Sequence, residues 1–308
     1  MLKTGVVIVA NGVTGSGENL SPLQPLGSIS IARRLVLTYQ QAGADLIVFV
    51  TGRESLELEQ HLSDFGVIFL KQREASGDDK FQAACVGLDF LQDKCEHIFF
   101  TSVAYPLYTA KTLMQMLRVP DKRMILPVWH GQQGHPLLLE RSMLAHILSY
   151  TGDGGMRGAI AAQSEPLCEL VTEDEGVVLP VRELLHMPER VAEHNEVLLH
   201  PFLRLSIEKE KLFFNARAKL MLQLVRETHS MKQACKHMAL SYGKAWDMVN
   251  AMEVELGYAV VERRQGGSRG GTTRLTPEGA EFLRRYEQYE YDVRQFAVEH
   301  FHELFVRR

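Results

Sequence analysis

Cysteine and long apolar runs are both scarce in this sequence. Of 308 residues only four are cysteines, Cys85, Cys95, Cys168 and Cys235, and none has a cysteine or histidine partner at metal-ligand spacing. This pattern argues against a disulfide-stapled secreted scaffold and favours reduced thiols in the cytoplasm. The apolar opening stretch is interrupted at Asn11 and Gly12, too early for a secretion signal, and no stretch is long enough to span a bilayer. We therefore expect a cytoplasmic protein with no membrane partner.

Positive charge is also unevenly distributed. No Lys or Arg occurs between Lys3 and Arg33. From Ser206 onward there are 17 Lys and Arg against 14 Asp and Glu, whereas residues 1–205 carry 17 against 24. The first part is thus mildly acidic and has no obvious nucleic-acid partner. Because the chain is long for a single core, we predict two domains, at 1–200 and 206–308.

Strand-like and helix-like segments alternate through the first two thirds. Strands are predicted at 5–10, 45–52, 67–70, 97–102 and 124–128, and helices at 28–43, near 81–91 and near 109–117. Strands that are apolar on both faces and separated by helices indicate an α/β fold with a mostly parallel sheet of the Rossmann-like kind. Ligands of such folds bind at the carboxyl ends of the strands.

The turn after the first strand is rich in glycine. Gly12, Gly15 and Gly17 would let backbone N–H groups approach a phosphate, as in a nucleotide-binding loop. The same glycines are equally compatible with a flexible connector. The turn alone does not decide between the two.

Two later stretches, G-Q-Q-G-H-P at 131–136 and G-D-G-G-M-R at 152–157, add to that turn. Together they make residues 5–190 resemble the MobA/MocA-like nucleotidyltransferases of molybdenum cofactor maturation. The match is carried by Gly134, His135, Pro136, Gly152 and Asp153. The resemblance implies a nucleotidyltransferase fold whose ligand is a nucleotide, CTP or GTP, or a molybdopterin.

The sequence departs from that family at the catalytic positions. The family's arginine falls near Ser16 and its lysine near Ser21, and Ala104 stands where the metal-binding Asp before Pro106 is expected. The late acidic stretch is replaced by VVLPVRE at 177–183. Nucleotidyl transfer requires cations on the phosphates and carboxylates on a divalent ion. We therefore expect a retained pocket with no catalytic residue and no metal site.

Several polar residues remain candidates for the pocket, each with a structural alternative. Asp78, Asp79 and Lys80 either replace the lost groups or form a charged first turn of the next helix. His135 either contacts a ligand or is a satisfied loop histidine. Asp153 and Arg157 either hold a ribose or pterin or cap a turn. The predicted ligand-binding residues are Gly12, Gly15, Gly17, Lys80, Gly134, His135, Asp153 and Arg157.

Residues 184–205 show no clear period and are predicted to link the domains. Their histidines, His186, His194 and His200, lack metal-ligand spacing and are expected to be solvated.

A helix-turn-helix pattern follows. An amphipathic helix is predicted over 206–230, with Phe214, Ala218, Met221 and Val225 on one face. Ser230 can cap a short helix, and Ser241 can cap the next. In that second helix Ala245, Val249, Met252 and Leu256 would be buried. The opposite face would carry Tyr242, Gly243, Lys244, Trp246, Asp247 and Asn250 to the major groove of DNA.

The next segment is typical of a wing. Strands predicted at 258–262 and 272–275 flank a glycine-rich tip, and no acidic residue occurs between Arg263 and Arg274. Such a basic hairpin suits phosphate contact. With the helix, it gives the predicted DNA-binding residues Ser241, Tyr242, Lys244, Trp246, Asn250, Arg263, Arg264, Ser268, Arg269 and Arg274.

LSYGKAWDMVNAMEVELG at 240–257, followed by VVERRQGGSRGGTTRLTPEG at 260–279, resembles the DNA-binding domain of the ModE molybdate-responsive regulators. The resemblance implies a ModE/LysR-type winged helix-turn-helix that binds double-stranded DNA, here without the small molybdate-binding domain that follows in that family. In the last helix Phe282, Tyr286, Tyr289, Val293 and Phe296 approximate a heptad. They favour either a homodimer seam or packing against their own domain.

Three hypotheses about function remain. The first is a transcription regulator linked to molybdenum metabolism, whose N-terminal domain senses a nucleotide or molybdopterin-related ligand. The second is an active cytidylyl- or guanylyltransferase that also carries a DNA-binding module. The third is an N-terminal domain that only docks a partner protein.

Overall fold

The computed structural model describes residues 3–10, 20–52, 55–72, 80–199, 201, 203–238, 240–264 and 272–306. By its internal contacts the chain divides into two units. The first unit contains residues 1–58 and 67–199, and the second contains residues 59–66 and 200–308. Within the described residues, no helix is both long and apolar enough to cross a membrane.

The first unit is built on one large mixed sheet. Its strands and the small hairpin beside it are β1 (Thr4–Val9), β2 (Pro25–Leu26), β3 (Ile29–Ser30), β4 (Leu46–Thr51), β5 (Val67–Lys71), β6 (His97–Ser102), β7 (Met124–Trp129), β8 (Gln132–Gln133), β9 (Leu137–Glu140) and β10 (Cys168–Val171). The order across the sheet is β10-β7-β9-β6-β1-β4-β5, with β8 paired to β7. Strands β6, β1, β4 and β5 are parallel, as the apolar runs predicted.

Strands β8 and β9 depart from the parallel arrangement, and β8 pairs antiparallel with β7. Strand β9 is the longer of the two. It lies antiparallel between β6 and β7. The sequence reading assigned no strand here, although Leu137, Leu138 and Leu139 are all buried. A run of three apolar residues beside a Gly-His-Pro turn is too short to reveal a strand by periodicity alone.

Helices cover the sheet. Those of this part of the chain are α1 (Ile31–Gln41), α2 (Leu56–His61), α3 (Lys80–Leu91), α4 (Ala110–Leu117), α5 (Leu144–Leu148), α6 (Gly155–Ala161), α7 (Val181–Leu184) and α8 (Pro188–Val197). Helix α1 begins later than predicted, because Ile29 and Ser30 pair with the β2 strand. The cap is Ser30, whose hydroxyl accepts a hydrogen bond from the N–H of Arg33.

Much of the predicted linker is helical, because α7 ends within it and α8 covers 188–197. Of its histidines, His186 is exposed as expected, and His200 lies outside the described residues. For His194 the expectation was wrong, because it is 5% exposed rather than solvated. Its Nδ1 lies 2.9 Å from Nη1 of Arg34, a fully buried side chain of α1. The histidine spacing could not reveal this, because the partner lies 160 residues away in the sequence.

The second unit contains β11 (Ile207–Glu208), β12 (Leu212–Phe214), α9 (Ala216–Thr228), α10 (Met231–His237), α11 (Tyr242–Leu256), β13 (Val261–Arg264), β14 (Thr272–Leu275) and α12 (Pro277–Phe301). Three helices followed by an antiparallel hairpin form a winged helix-turn-helix. The face predicted for this helix is buried, since Ala218, Met221 and Val225 of α9, and Phe214 at the end of β12, are each at most 2% exposed.

The first predicted helix of this unit begins later than expected. Residues 207–214 form the β11–β12 hairpin, and α9 starts only after Asn215. The Asn215 side-chain oxygen accepts hydrogen bonds from the N–H groups of Arg217 and Ala218, each at 3.0 Å. An asparagine is a strong N-cap, so the helix boundary has a local cause that the apolar pattern concealed.

Candidate functional site

A cavity of about 470 Å³ lies in the first unit where strands β1 and β6 end. This is the carboxyl edge of the parallel strands, where ligands of α/β folds bind. Its lining residues are Val9, Leu20, Lys80, Phe81, Phe100, Ser102, Ala104, Tyr105, His135, Gly154, Gly155, Met156, Arg157, Pro180, Val181 and Arg182. Of the predicted ligand-binding residues, Lys80, His135 and Arg157 thus come together in one place.

The charged residues of this lining are all cations. They are Lys80 at the start of α3, Arg157 in α6 and Arg182 in α7, and each is exposed. No carboxylate contributes to the described lining. The cavity is therefore suited to an anionic ligand.

His135 forms one wall together with Tyr105. The two rings are stacked with their centroids 4.0 Å apart, and the His135 N–H donates to the carbonyl of Val177 at 2.7 Å. Burial, and then the nearby charges of Arg157 and Lys80, together lower the pKa of His135 to about 4. The imidazole is therefore neutral at pH 7 and contributes ring surface rather than charge.

Gly134 has a packing role. A Cβ at this position would lie 2.6 Å from the carbonyl oxygen of Val177, so only glycine permits the close approach of the two backbones. Gly134 does not line the cavity, and neither does the exposed Asp153, whose carbonyl accepts a hydrogen bond from the Tyr150 hydroxyl at 2.8 Å. Gly12, Gly15 and Gly17 lie outside the described residues.

Arg182 and Tyr105 are among the lining residues that were not predicted from the sequence. Arg182 belongs to the VVLPVRE stretch, whose only role in the sequence-based prediction was to replace the family's Asp-rich run. Tyr105 follows Ala104, which was considered only as a lost metal ligand. Both residues lie in segments that differ from the family's motifs and that lie at the same strand edge. A basic or aromatic residue in such a segment could therefore have indicated them.

In the second unit, helix α11 presents a polar face. Ser241 is its N-cap, with the hydroxyl accepting from the Lys244 N–H at 3.3 Å. Tyr242, Lys244 and Asn250 are exposed. The opposite face is buried through Ala245, Val249 and Met252 as predicted, whereas Leu256 is only half-buried.

Trp246 is half-buried, although it was expected on the exposed face. The guanidinium of Arg263, from the wing strand β13, lies 3.2 Å from the centre of the Trp246 ring. The Tyr242 ring packs edge-on against Trp246, with the two ring centroids 6.0 Å apart. Such a cation–π contact stabilises by about 0.5–2 kcal/mol. Trp246 therefore joins the wing to helix α11.

The remaining wing residues divide between described and undescribed positions. Arg274 is exposed on β14, and Arg264 is the last residue of β13. Ser268 and Arg269 lie outside the described residues. Strand β13 starts at Val261 rather than 258, and a Glu253 carboxylate oxygen of α11 accepts hydrogen bonds from the N–H groups of Val260 and Val261.

The apolar stripe of helix α12 divides into two parts. Phe282 packs edge-on against Phe214 at 4.9 Å, and the hydroxyl of the buried Tyr286 donates to the carbonyl of Leu205. Farther along, Tyr289 is 56% exposed and Phe296 is 66% exposed. The first part of the stripe thus packs on its own unit, and the second part does not.

Comparison with known proteins finds two kinds of similarity. Residues 20–167 match the model of the MobA-like NTP transferase domain. The transcriptional regulator ModE of Yersinia pestis is 33% identical over 79 residues, and the molybdenum-pterin-binding protein MopB of Rhodobacter capsulatus is 33% identical over 84 residues. The chain joins a MobA-like NTP transferase domain to a ModE-like segment.

The ModE-like similarity is partial on both sides. It covers 26% of this chain and 30% of the Yersinia regulator, and 27% of this chain and 31% of MopB. The chain therefore spans about 30% of the length of the curated relatives it matches.

Solved structures support the fold of the MobA-like domain. Rv0371c of Mycobacterium tuberculosis, solved with manganese, aligns with a TM-score of 0.50 at 18% identity, covering 60% of this chain and 99% of that one. A nucleotidyl transferase from Methanothermobacter aligns with a TM-score of 0.50 at 15% identity, covering 62% and 98%. At these identities the likeness establishes the nucleotidyltransferase fold and nothing further.

Proposed function

We propose that this protein is a DNA-binding transcription regulator linked to molybdenum or molybdenum cofactor metabolism, and that its MobA-like domain is a ligand sensor. The observation that carries the proposal is the winged helix itself. An exposed, Ser-capped helix stands beside a basic hairpin, and part of the chain is similar to ModE regulators. Both ModE and MopB bear names connected with regulation or with molybdenum pterin binding.

The DNA partner is proposed from the charge of this surface. Lys244 and Asn250 can read base edges from helix α11, while Ser241 and Tyr242 lie at its exposed start. The exposed Arg263 and Arg274 of the wing strands are proposed to contact phosphates, and Arg264, Ser268 and Arg269 are proposed to do the same. In this proposal Trp246 acts through Arg263, by holding the wing against the helix.

A sensor is favoured over an enzyme by the chemistry of the cavity. Nucleotidyl transfer needs a divalent ion held by carboxylates. The described lining offers Ala104 and Ser102 at the end of β6, and no carboxylate. The second candidate, an active cytidylyl- or guanylyltransferase, is supported by the MobA-like domain match over 20–167.

A homodimer completes the proposal. A two-fold regulator reads a palindromic operator, and half-site spacing then follows from the protein's symmetry. The exposed Tyr289 and Phe296 of α12 are the surface we propose for that contact. Sedimentation of the full chain tests it: a monomer at micromolar concentration would contradict the dimer without affecting DNA binding by one winged helix.

Lys244→Ala is expected to weaken binding to the cognate duplex about tenfold, because one base-reading contact contributes about 1–3 kcal/mol. The cognate duplex would be recovered by in vitro selection from a random-sequence library, and affinity measured by fluorescence anisotropy. The control is Lys211→Ala, an exposed lysine before β12, on the hairpin that contacts Glu255 near the other end of α11. Equal affinities of the three proteins would remove α11 from the DNA interface.

One assay on the full chain separates sensor from enzyme. The protein is incubated with CTP or GTP and magnesium in the presence of the selected duplex, and both pyrophosphate and DNA affinity are followed. A change in DNA affinity without pyrophosphate release supports sensing. Pyrophosphate release that requires magnesium would establish the transferase instead.

A further inference from the structure

A second cavity, of about 200 Å³, lies in the first unit beside helix α8. Its described lining shares no residue with that of the cavity at the ends of β1 and β6. Two prolines, three leucines, Val191 and Ala192 form most of this lining, and Gly27 and Asn195 complete it. Asn195 is thus the one polar side chain of the described lining. We call this space the Asn195 cavity.

A buried cation lies next to Asn195. Arg34 of helix α1 is fully buried, and it is charged at pH 7 because burial lowers its pKa only to about 10. Its Nη2 donates to Oδ1 of Asn195 at 2.8 Å and to the Leu26 carbonyl at 2.7 Å. Its Nη1 donates to Nδ1 of His194 at 2.9 Å. All three acceptors are uncharged at pH 7, since the pKa of His194 is about 4.

These hydrogen bonds do not balance the charge of the guanidinium. A buried charge is usually accompanied by one of opposite sign, because its lost hydration is otherwise poorly compensated. Within the residues that the structure describes, Nε of Arg34 also meets no acceptor. The positive potential of Arg34 therefore extends to the groups that surround it, Asn195 among them. An anion bound beside Asn195 would be stabilised by that potential.

The contact with Arg34 also fixes the orientation of the Asn195 amide. A guanidinium can only donate, so the amide oxygen must face Arg34, and the two N–H groups of Nδ2 are left for another acceptor. A Cβ added at Gly27 would lie 3.5 Å from this nitrogen. Because residue 27 is a glycine, with φ of 69°, it places no side chain over the amide. The cavity thus has an amide donor at one point of an otherwise apolar wall.

We propose that the Asn195 cavity binds a short aliphatic monocarboxylate. The carboxylate accepts hydrogen bonds from Nδ2 of Asn195 and supplies the negative charge that Arg34 lacks, while the chain packs on the prolines, the leucines and Val191. A cavity of about 150 Å³ holds a benzene ring, so this one has room for a chain of about six carbons. This ligand goes beyond the proposed function, and its binding requires neither DNA nor an occupant of the first cavity.

Ligand-observed NMR titration of the full chain at pH 7 tests the proposal. The probes are acetate, butyrate, hexanoate and the neutral butyramide. Hexanoate is expected to bind most tightly, and butyrate at least tenfold more tightly than acetate, because each buried methylene contributes about fourfold in affinity. Butyramide has nearly the shape of butyrate but no charge, and it is expected to bind at least tenfold more weakly. Equal binding of butyrate and butyramide would overturn the anionic ligand class.

The first variant tests the role of the Asn195 amide. Asn195→Asp keeps an acceptor for Arg34 but replaces the amide donor with a negative charge, so hexanoate should bind at least tenfold more weakly. Its Tm should equal or exceed that of the parent, because the new carboxylate balances the buried cation. The loss of binding would then not be caused by unfolding.

The second variant fills the cavity without changing the contacts of Arg34. Ala192 is exposed on α8, and Ala192→Leu is expected to weaken hexanoate binding about tenfold by occupying the space of its chain. The matched control is Ala145→Leu, at an exposed alanine of α5 outside this lining, which should bind hexanoate as the parent does.

The result decides this inference separately from the proposed function. If no carboxylate binds at millimolar concentration, or if either cavity variant binds hexanoate as tightly as the parent, the assigned site is wrong. Neither result affects the proposed regulator. That proposal is judged by the DNA affinities of Lys244→Ala and its control, which require no ligand.

Discussion

Gly279→Ala is expected to lower the free energy of unfolding of the second unit by about 3 kcal/mol. Gly279 lies in the first turn of α12, and a Cβ there would come within 2.2 Å of the carbonyl oxygen of Val260. That oxygen belongs to the backbone just before the wing strand β13, so no side-chain rotation can relieve the clash. The helix would have to move away from the wing.

The measurement can isolate this unit, because the chain has two tryptophans, Trp129 in the first unit and Trp246 in the second. In a Trp129→Phe background, fluorescence during urea unfolding reports on Trp246 alone. For a unit of this size about 3 kcal/mol corresponds to a fall in Tm of roughly 10 °C. DNA affinity should fall as well, since the wing is displaced.

The matched control is Gly243→Ala. Gly243 also lies in the first turn of a helix of the same unit, α11, but an added Cβ would meet nothing within 4 Å. Alanine is the better helix former, so this variant should be neutral or more stable by up to about 1 kcal/mol. If the two variants had equal stability, the close approach of α12 to the wing strand would be wrong.

The features that could be predicted from the sequence have local causes. The buried strands of the first unit are visible in the sequence as apolar runs. The caps Ser230 and Ser241 directly precede helices α10 and α11. The spacing of Ala245, Val249 and Met252 likewise fixed which face of α11 is buried. Each of these signals lies within, or directly beside, the helix or strand that it determines.

The features that were missed depend on partners far away in the sequence. His194 was predicted to be a linker residue, but it contacts Arg34. Trp246 was predicted to be exposed, but the Arg263 guanidinium covers its ring. Arg182 was overlooked because its segment was noted only for the missing acidic ligands, whereas α7 brings it to the cavity at the strand edge. Periodicity carries no information on such pairings, because they follow from how distant elements pack.

The candidate cavity was therefore only partly predictable. Family resemblance drew attention to His135 and Arg157, and the charged segment before α3 drew attention to Lys80; all three line it. The resemblance also selected Gly134, whose glycine identity is explained by the backbone of Val177. A motif marks residues that matter to the fold and to the ligand alike, and only the three-dimensional contacts separate the two roles.

A second large effect is expected on the free energy of unfolding of the first unit when the pH is lowered, because of the contact between Arg34 and His194. Arg34 is fully buried, and burial lowers its pKa only to about 10, so it is charged at pH 7. An arginine has no acceptor, so Nδ1 of His194 must accept its hydrogen bond. The proton of the ring is then on Nε2, which donates to the carbonyl of Tyr108 at 3.2 Å.

Protonation of His194 would place a second positive charge against Arg34. Burial, followed by this charge, lowers the pKa of His194 to about 4, while the hydrogen bond to the Tyr108 carbonyl and the charge of Asp174 act in the opposite direction. Because the unfolded chain takes up the proton near pH 6.5, the stabilisation is complete above that pH and is lost as the pH falls toward 4. The loss from this single group is about 3 kcal/mol.

His194→Gln should remove that loss, since the amide oxygen can still accept from Arg34 but does not titrate. The variant is expected to be less stable than the parent at pH 7 and to approach it at pH 4, so that the difference in the free energy of unfolding shrinks by about 3 kcal/mol. Urea unfolding in a Trp246→Phe background follows the first unit through Trp129. His146→Gln, an exposed histidine of the same unit, should keep the parent's pH dependence. A constant difference between parent and His194→Gln from pH 7 to pH 4 would show that the histidine is protonated in the folded protein, which the Arg34 contact forbids.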